Sequence, residues 1–193
     1  MGSEVAMAAL AVEKHQVWTF EDLQALPEDA DWRRYEIVDG ALVVSPGVFT
    51  QHEFASARLR RLLDRAGLPA FETIGPMAVD LHPSYRIPDL IVVRAELARI
   101  KLKLLPPAEV LLVVEVVSPG SRTTDRITKP AEYAAAGIPV YLRVETEPDV
   151  TLTVYELDAG ASIYTERGTY GPGETAHLDR PFAADIPVDA ITP

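Results

Sequence analysis

The stretch VLLVVEVV, from Val110 to Val117, constrains this chain more than any other. Its apolar residues occupy consecutive rather than alternate positions, as in a strand covered on both faces, which places it at the centre of a sheet. Glu115 stands alone within it. A carboxylate in the middle of a buried strand costs several kcal/mol unless a cation or hydrogen-bond donors meet it. Some other part of the chain must supply that compensation.

The flanking segments predict an α/β fold. Thr19 opens TFEDLQAL with an acidic residue, Asp22, three positions on, the signature of a capping box, and Pro27 closes the helix. Asp39-Gly40 separates two apolar runs, so Tyr35 to Val38 and Ala41 to Val44 read as an antiparallel hairpin. From Gln51 to Ala66 the apolar positions Phe54, Ala55, Leu59, Leu62, Leu63 and Ala66 follow the period of an amphipathic helix, ended by Gly67. Strands are expected at Gly75 to Leu81 and Ile87 to Val93. A second helix is expected from Asp125 to Ala136 with Gly137 after it, then a strand from Val140 to Glu145. Thr151 to Leu157, Ser162 to Tyr170 and the Pro/Asp-rich end read as a β extension. One unit over residues 18–190, preceded by a leader over 1–17, is the simplest organisation for 193 residues.

Composition removes whole classes of chemistry. With no cysteine, thiol nucleophiles, iron–sulfur clusters and Cys-based zinc sites are excluded, and a reducing, cytoplasmic setting is expected. The leader has no basic start before its apolar residues, and no apolar run approaches the roughly 20 residues of a membrane span. The four histidines, His15, His52, His82 and His177, make no HExxH, and there is no phosphate-loop, dinucleotide or nucleophile-elbow motif. Trp18 and Trp32 read as core or interface anchors rather than base-stacking platforms.

Asp89, in RIPDLIVV, stands in the strand before the central one, and Pro88 fits only near a strand start. Adjacent strands carrying Asp89 and Glu115 would bring two carboxylates to one region, a donor set suited to Mg²⁺. Spacing alone leaves other roles open. Asp89 could cap a turn or pair with Arg86, Glu115 could end in solvent, and Lys129 could simply pair with Asp125 four residues earlier.

The stretches YEIVDGALVVSP, IPDLIVV, LVVEVVSPGSR, DRITKPAEYAAAGIPVYL and TVYEL, with His52 six residues after Pro46, resemble in order and spacing the Uma-type putative restriction endonuclease family, a branch of the PD-(D/E)XK nuclease superfamily. The resemblance covers roughly residues 18 to 190. It implies a restriction-endonuclease-like core, a mixed central sheet flanked by helices, and hydrolysis of nucleic acid, DNA first, with Mg²⁺ or Mn²⁺. By position Asp89 matches the acid of the PD element and Glu115 that of the (D/E)XK element. Val117 stands where that element has lysine, and Lys129 matches the relocated lysine. Glu36 matches a further acidic, metal-ligating position. His52 and Asp125 are auxiliary candidates. Two departures are visible: Val140 and Leu142 replace the acid and tryptophan of the family's GIPEYW, and Pro130 directly follows Lys129.

The formal charge of −11 divides unevenly: −6 over residues 1–51, +3 over 52–103 and −8 over 104–193. The positive middle holds Arg58, Arg61, Arg65 and Arg86, the candidate nucleic-acid contacts. Its other reading is a solvated helix face. The competing functional readings are a nuclease-fold protein that no longer cuts and acts as a homodimeric interaction module, and a hydrolase of smaller phosphodiesters.

Overall fold

The computed structural model describes residues 17–26, 35–44, 47 and 49–193. The leader up to residue 16, Pro27, Trp32 and Pro46 lie outside the described residues. Helix α1 (Phe20–Gln24) carries the expected reciprocal cap, with the Asp22 amide donating to the Thr19 hydroxyl oxygen and the Thr19 amide to the Asp22 carboxylate. Strands β1 (Tyr35–Val38) and β2 (Ala41–Val44) pair antiparallel with Val38 opposite Ala41, so Asp39 and Gly40 form the two-residue turn.

Helix α2 (Thr50–Gly67) buries His52, Ala55, Leu59, Leu63 and Gly67, one stripe at spacings of three and four. Gly67 ends the helix as expected, but not through a left-handed turn. The next residue, Leu68, is extended, and a Cβ on Gly67 would lie 2.7 Å from the Phe182 ring, so glycine is required there for packing.

Strands β3 (Phe71–Ile74), β4 (Ala78–Leu81), β5 (Ser84–Arg86), β6 (Leu90–Arg94) and β7 (Leu104–Leu105) lead into the central strand β8 (Leu112–Val116). A π-helical turn, Thr124–Thr128, runs directly into α3 (Lys129–Ala135). Then follow β9 (Val140–Glu145), β10 (Thr151–Glu156), β11 (Thr165–Tyr170), β12 (Thr175–Leu178), β13 (Ala184–Pro187) and α4 (Val188–Ile191). Three sheets result, ordered β2-β1-β5-β4-β7, β11-β10-β9-β8-β6-β3 and β12-β13. In the six-stranded sheet β8 runs antiparallel to β6 and parallel to β9. The β10–β11 extension is therefore the far edge of the main sheet rather than an appendage.

Side chains of β8 divide by parity. Leu112, Val114 and Val116 pack with Ala55, Leu59 and Leu63 of α2 and with Leu178, Ile186 and Ile191. Val113 packs on the other side with Ile91, Tyr133, Ile138 and Tyr141. The run is apolar at every position because each face has its own core, with α2 over one and α3 over the other. Glu115, an odd position, falls on the α3 face. Gly137, at φ 79°, ends α3 in a Schellman motif: its amide bonds to the Ala134 carbonyl and that of Ile138 to the Tyr133 carbonyl. Among the described residues no helix is long and apolar enough to cross a membrane.

Candidate active site

Asp89 immediately precedes β6, and the register that sets Leu90 opposite Val114 places it across from Glu115. Glu115 points to the α3 face, while the Asp89 carboxylate, just ahead of its strand, reaches His52 of α2. Asp89 is fixed at its Oδ2, which accepts from the Val116 amide at 2.7 Å and lies 3.1 Å from His52 Nε2. Gly75 presses on the same backbone from the far side. It sits at φ 153°, and a Cβ there would lie 2.3 Å from the Asp89 carbonyl oxygen, so both its conformation and its bare Cα are needed. Ile87, Pro88 and Asp89 are not part of the strand expected from Ile87. Pro88, with no amide hydrogen, sits ahead of the ladder it would have broken.

Glu115 is 2 % exposed and both its oxygens are met from α3. Tyr133 Oη donates to Oε1 at 2.6 Å, and Lys129 Nζ stands 3.0 Å from Oε2. Lys129 also pairs with Asp125 Oδ1 at 3.0 Å and lies 4.0 Å from Glu36 Oε1. Asp125 and Lys129, four apart, share one face of this helical stretch, and Pro130 explains why the turn between them is widened. A proline inside a regular helix lacks the amide hydrogen and clashes with the carbonyl four residues back. Here the turn before it widens, and the Lys129 amide bonds to the Thr124 carbonyl five residues back. Pro130 then occupies the first turn of α3, where its missing hydrogen is harmless. Asp125 is held further by the Ser121 hydroxyl, which donates to Oδ2, and Tyr141 Oη donates to the Asp125 carbonyl at 2.7 Å.

Glu36 and Arg86 take a place that the sequence reading did not give them. Arg86 is 1 % exposed, with Nε and Nη2 donating to Glu132 of α3 at 2.6 and 2.9 Å and Nη1 to Glu36 Oε2 at 3.3 Å. Its expected role as a nucleic-acid contact is corrected, since a guanidinium spent on two carboxylates inside the protein is closed to phosphate. Glu36 Oε1 accepts from the Ile87 amide at 2.9 Å, so the β1–β2 hairpin is stitched to the segment that presents Asp89. Tyr133 and Glu132 were missed. Tyr133 had a readable signal, being four residues beyond Lys129 and hence on the same helix face.

Charge dominates this interior. Burial pushes the Glu115 carboxyl well above the usual carboxylate range; Lys129 opposes the shift, and Asp89, Asp125 and Glu36 add to it. Burial alone would lower the Lys129 ammonium, but Glu115, Glu36, Asp125 and Asp89 outweigh it and hold the group above the ordinary lysine range. Burial likewise lowers His52, and the hydrogen bond and charge of Asp89 reverse the shift. Five carboxylates (Glu36, Asp89, Glu115, Asp125, Glu132) face two fixed cations, Arg86 and Lys129, with His52 a third when protonated. The cluster is short of positive charge.

The candidate arginines of α2 stand elsewhere. Arg58, Arg61 and Arg65 lie about 180–240° around the helix from His52, at roughly 100° per residue. Arg61 and Arg65 are exposed, and Arg58 is half-buried, donating to the Thr192 carbonyl with its guanidinium over the Phe54 ring. They do not converge with Asp89.

Among the described residues no three His, Asp or Glu side chains form a ready metal cage. The donor chemistry nonetheless fits the divalent cation that the fold family implies. Among the described residues Asp89, 24 % exposed, has partners on Oδ2 and none on Oδ1, and it stands across from a second hard oxygen donor in a cluster with excess negative charge. Asp89 and Glu115 are the side chains able to hold such an ion.

Comparison with known proteins agrees with this architecture. The Uma2 family model, described as a putative restriction endonuclease, matches residues 20–189. The fold is similar to the crystal structure of a putative nuclease belonging to DUF820 from Anabaena variabilis ATCC 29413, with a TM-score of 0.68 and 14 % identity over 90 % of this chain and 97 % of that one. A search of curated proteins finds no match.

Proposed function

Because the chain belongs to the Uma2 family of putative restriction endonucleases, we propose that it is a divalent-metal-dependent nuclease hydrolysing phosphodiester bonds in nucleic acid, DNA first. The observation that carries the reading is the register that sets Asp89 across from Glu115, itself paired with Lys129, in a cluster short of positive charge. Asp89 and Glu115 would hold Mg²⁺ or Mn²⁺, which when bound polarises the scissile phosphate and lowers the pKa of a water. Lys129 keeps its proton at neutral pH and acts as a donor, orienting the water or offsetting charge that develops on the phosphate. His52 and the Val116 amide hold Asp89 Oδ2, which leaves Oδ1 for the cation. Glu36 acts through Arg86 and Glu132, locking α3 against the hairpin so that Lys129 stays in register with Glu115. Asp125 orients the Lys129 ammonium. Cytoplasmic residence, a single folding unit over 18–190 and homodimerisation belong to the same proposal.

Calorimetric titration with Mg²⁺ and Mn²⁺, paired with cleavage assays on single- and double-stranded DNA and RNA, tests it. The wild type is expected to bind the ion and cut. Asp89→Asn and Glu115→Gln are expected to lose cleavage by about 10²–10³-fold, the scale set by removing one preorganised charge. A wild type that neither binds metal nor cuts any substrate returns the molecule to the non-cutting interaction module.

A further inference from the structure

Three arginines lead away from the register of Glu115 toward solvent. Arg143 on β9 is the Cα partner of Glu115 in the parallel β8–β9 pair, so both side chains leave the sheet on the same face. Its guanidinium lies 5.3 Å from the Tyr155 ring centroid, and among the described residues its buried Nε has no hydrogen bond, only Glu145 Oε1 at 3.3 Å. Arg126, on the π-turn next to Asp125, grips the same Glu145 with both arms of its fork at 2.9 and 3.0 Å. Arg122, one turn earlier, reaches Glu147 at 2.8 Å. Side-chain exposure rises along the series, from 17 % to 45 % to 48 %. These contacts set three guanidiniums against Glu145 and Glu147 inside a C-terminal segment that is strongly acidic. The Tyr141 hydroxyl ties the π-turn to β9, so the strip is built onto the elements that carry Glu115, Asp125 and Lys129.

We propose that Arg143, Arg126 and Arg122 form a phosphate-binding track for a nucleic-acid strand entering the site, with Glu145 and Glu147 holding the guanidinium forks until phosphates replace them. The proposal rests on the nuclease reading and names the surface that serves it. The Arg122–Glu147 pair is exposed on both sides, and such pairs contribute little and exchange readily, whereas a planar fork matches a phosphate at two oxygens. The α2 arginines have no comparable tie to the site.

The test is binding of fluorescent duplex DNA, single-stranded DNA and single-stranded RNA to the full chain in EDTA, where no cleavage intervenes, over a salt series. Arg143→Gln, Arg126→Gln and Arg122→Gln are each expected to weaken binding and to reduce the slope of log K against log[salt] by about 1, one phosphate contact each. Glu145→Gln is expected to tighten binding, because it removes the competing carboxylate. Arg61→Gln and Arg65→Gln are expected to bind as wild type does. Exposed Arg122 and the sign of the Glu145 effect keep the test decisive even where Arg143→Gln loses stability. The track is overturned by unchanged slopes in folded Arg126→Gln and Arg122→Gln proteins, by a Glu145→Gln chain that binds no tighter, or by a wild type that binds none of the probes at low salt. Binding along the track without cleavage in Mg²⁺ or Mn²⁺ sinks the nuclease reading alone. Cleavage with track-independent binding sinks the track alone.

Discussion

Glu115 is bound on both oxygens from one helix, and the two partners do different work. Lys129 supplies charge at Oε2, while Tyr133 supplies only a hydrogen bond at Oε1. Burial, reinforced by Glu115 and Glu36, holds the Tyr133 phenol well above its ordinary range, so at neutral pH it is a donor. Tyr133→Phe keeps the ring against Tyr141 and removes only that donor, leaving a buried carboxylate oxygen unmet. The expected loss in urea unfolding is about 1–3 kcal/mol. In a Glu115→Gln background the same substitution should cost less, and a double-mutant cycle with no coupling would show that the bond contributes nothing. The sequence pointed to the pairing of Asp89 with Glu115 because a lone acid in an apolar run and an acid behind a strand-initiating proline are both local signals. Arg86 was misjudged because its partners Glu36 and Glu132 lie 50 and 46 residues away, beyond any local pattern.

Among the elements, those with a long period or a strict turn were readable: the β1–β2 hairpin, α2 and β8. Strands β3, β5 and β7 have four, three and two residues, too short to display alternation, and they exist because neighbouring strands accept their hydrogen bonds. The π-turn is the element that sequence made look like a defect. Pro130 beside Lys129 reads as a departure from the family pattern, yet the widened turn is what the proline imposes, and Lys129 sits at its end facing Asp125 and Glu115. Pro130→Ala restores an amide that an ordinary α-helix would bond to the Arg126 carbonyl, and the turn is expected to tighten. Stability should hold or rise, since alanine is the better helix former. Cleavage should fall, because tightening rotates Asp125 and Arg126 relative to Lys129. Equal activity in an unfolding-competent Pro130→Ala protein would show that the π-turn is incidental to the site.

Across the whole molecule the charge of −11 is arranged rather than spread. The excess of acid in the interior surrounds Lys129 and Arg86. Elsewhere arginines join segments distant in sequence, and Glu156 on β10 is one such junction. It accepts from Arg167 of β11 at 3.1 Å and from Arg180, in the loop before β13, at 2.9 Å. Burial pushes its carboxyl up, but the hydrogen bonds and charges of Arg180 and Arg167 prevail and hold it below the usual range. A carboxyl depressed in the folded state stabilises the fold fully above its unfolded value of about 4.3, and that contribution is lost as pH falls through the lower folded value. Glu156→Gln should therefore lower stability at neutral pH, by no more than about 1 kcal/mol because both arginines are nearly half exposed. The difference from wild type should be flat from pH 7 to roughly pH 5 and close in more acid solution as the wild-type carboxyl takes up its proton. Urea unfolding of both proteins across that range reads it out. A gap that persists unchanged under acid would mean that Glu156 acts through packing at the β10–β11 edge rather than through its charge.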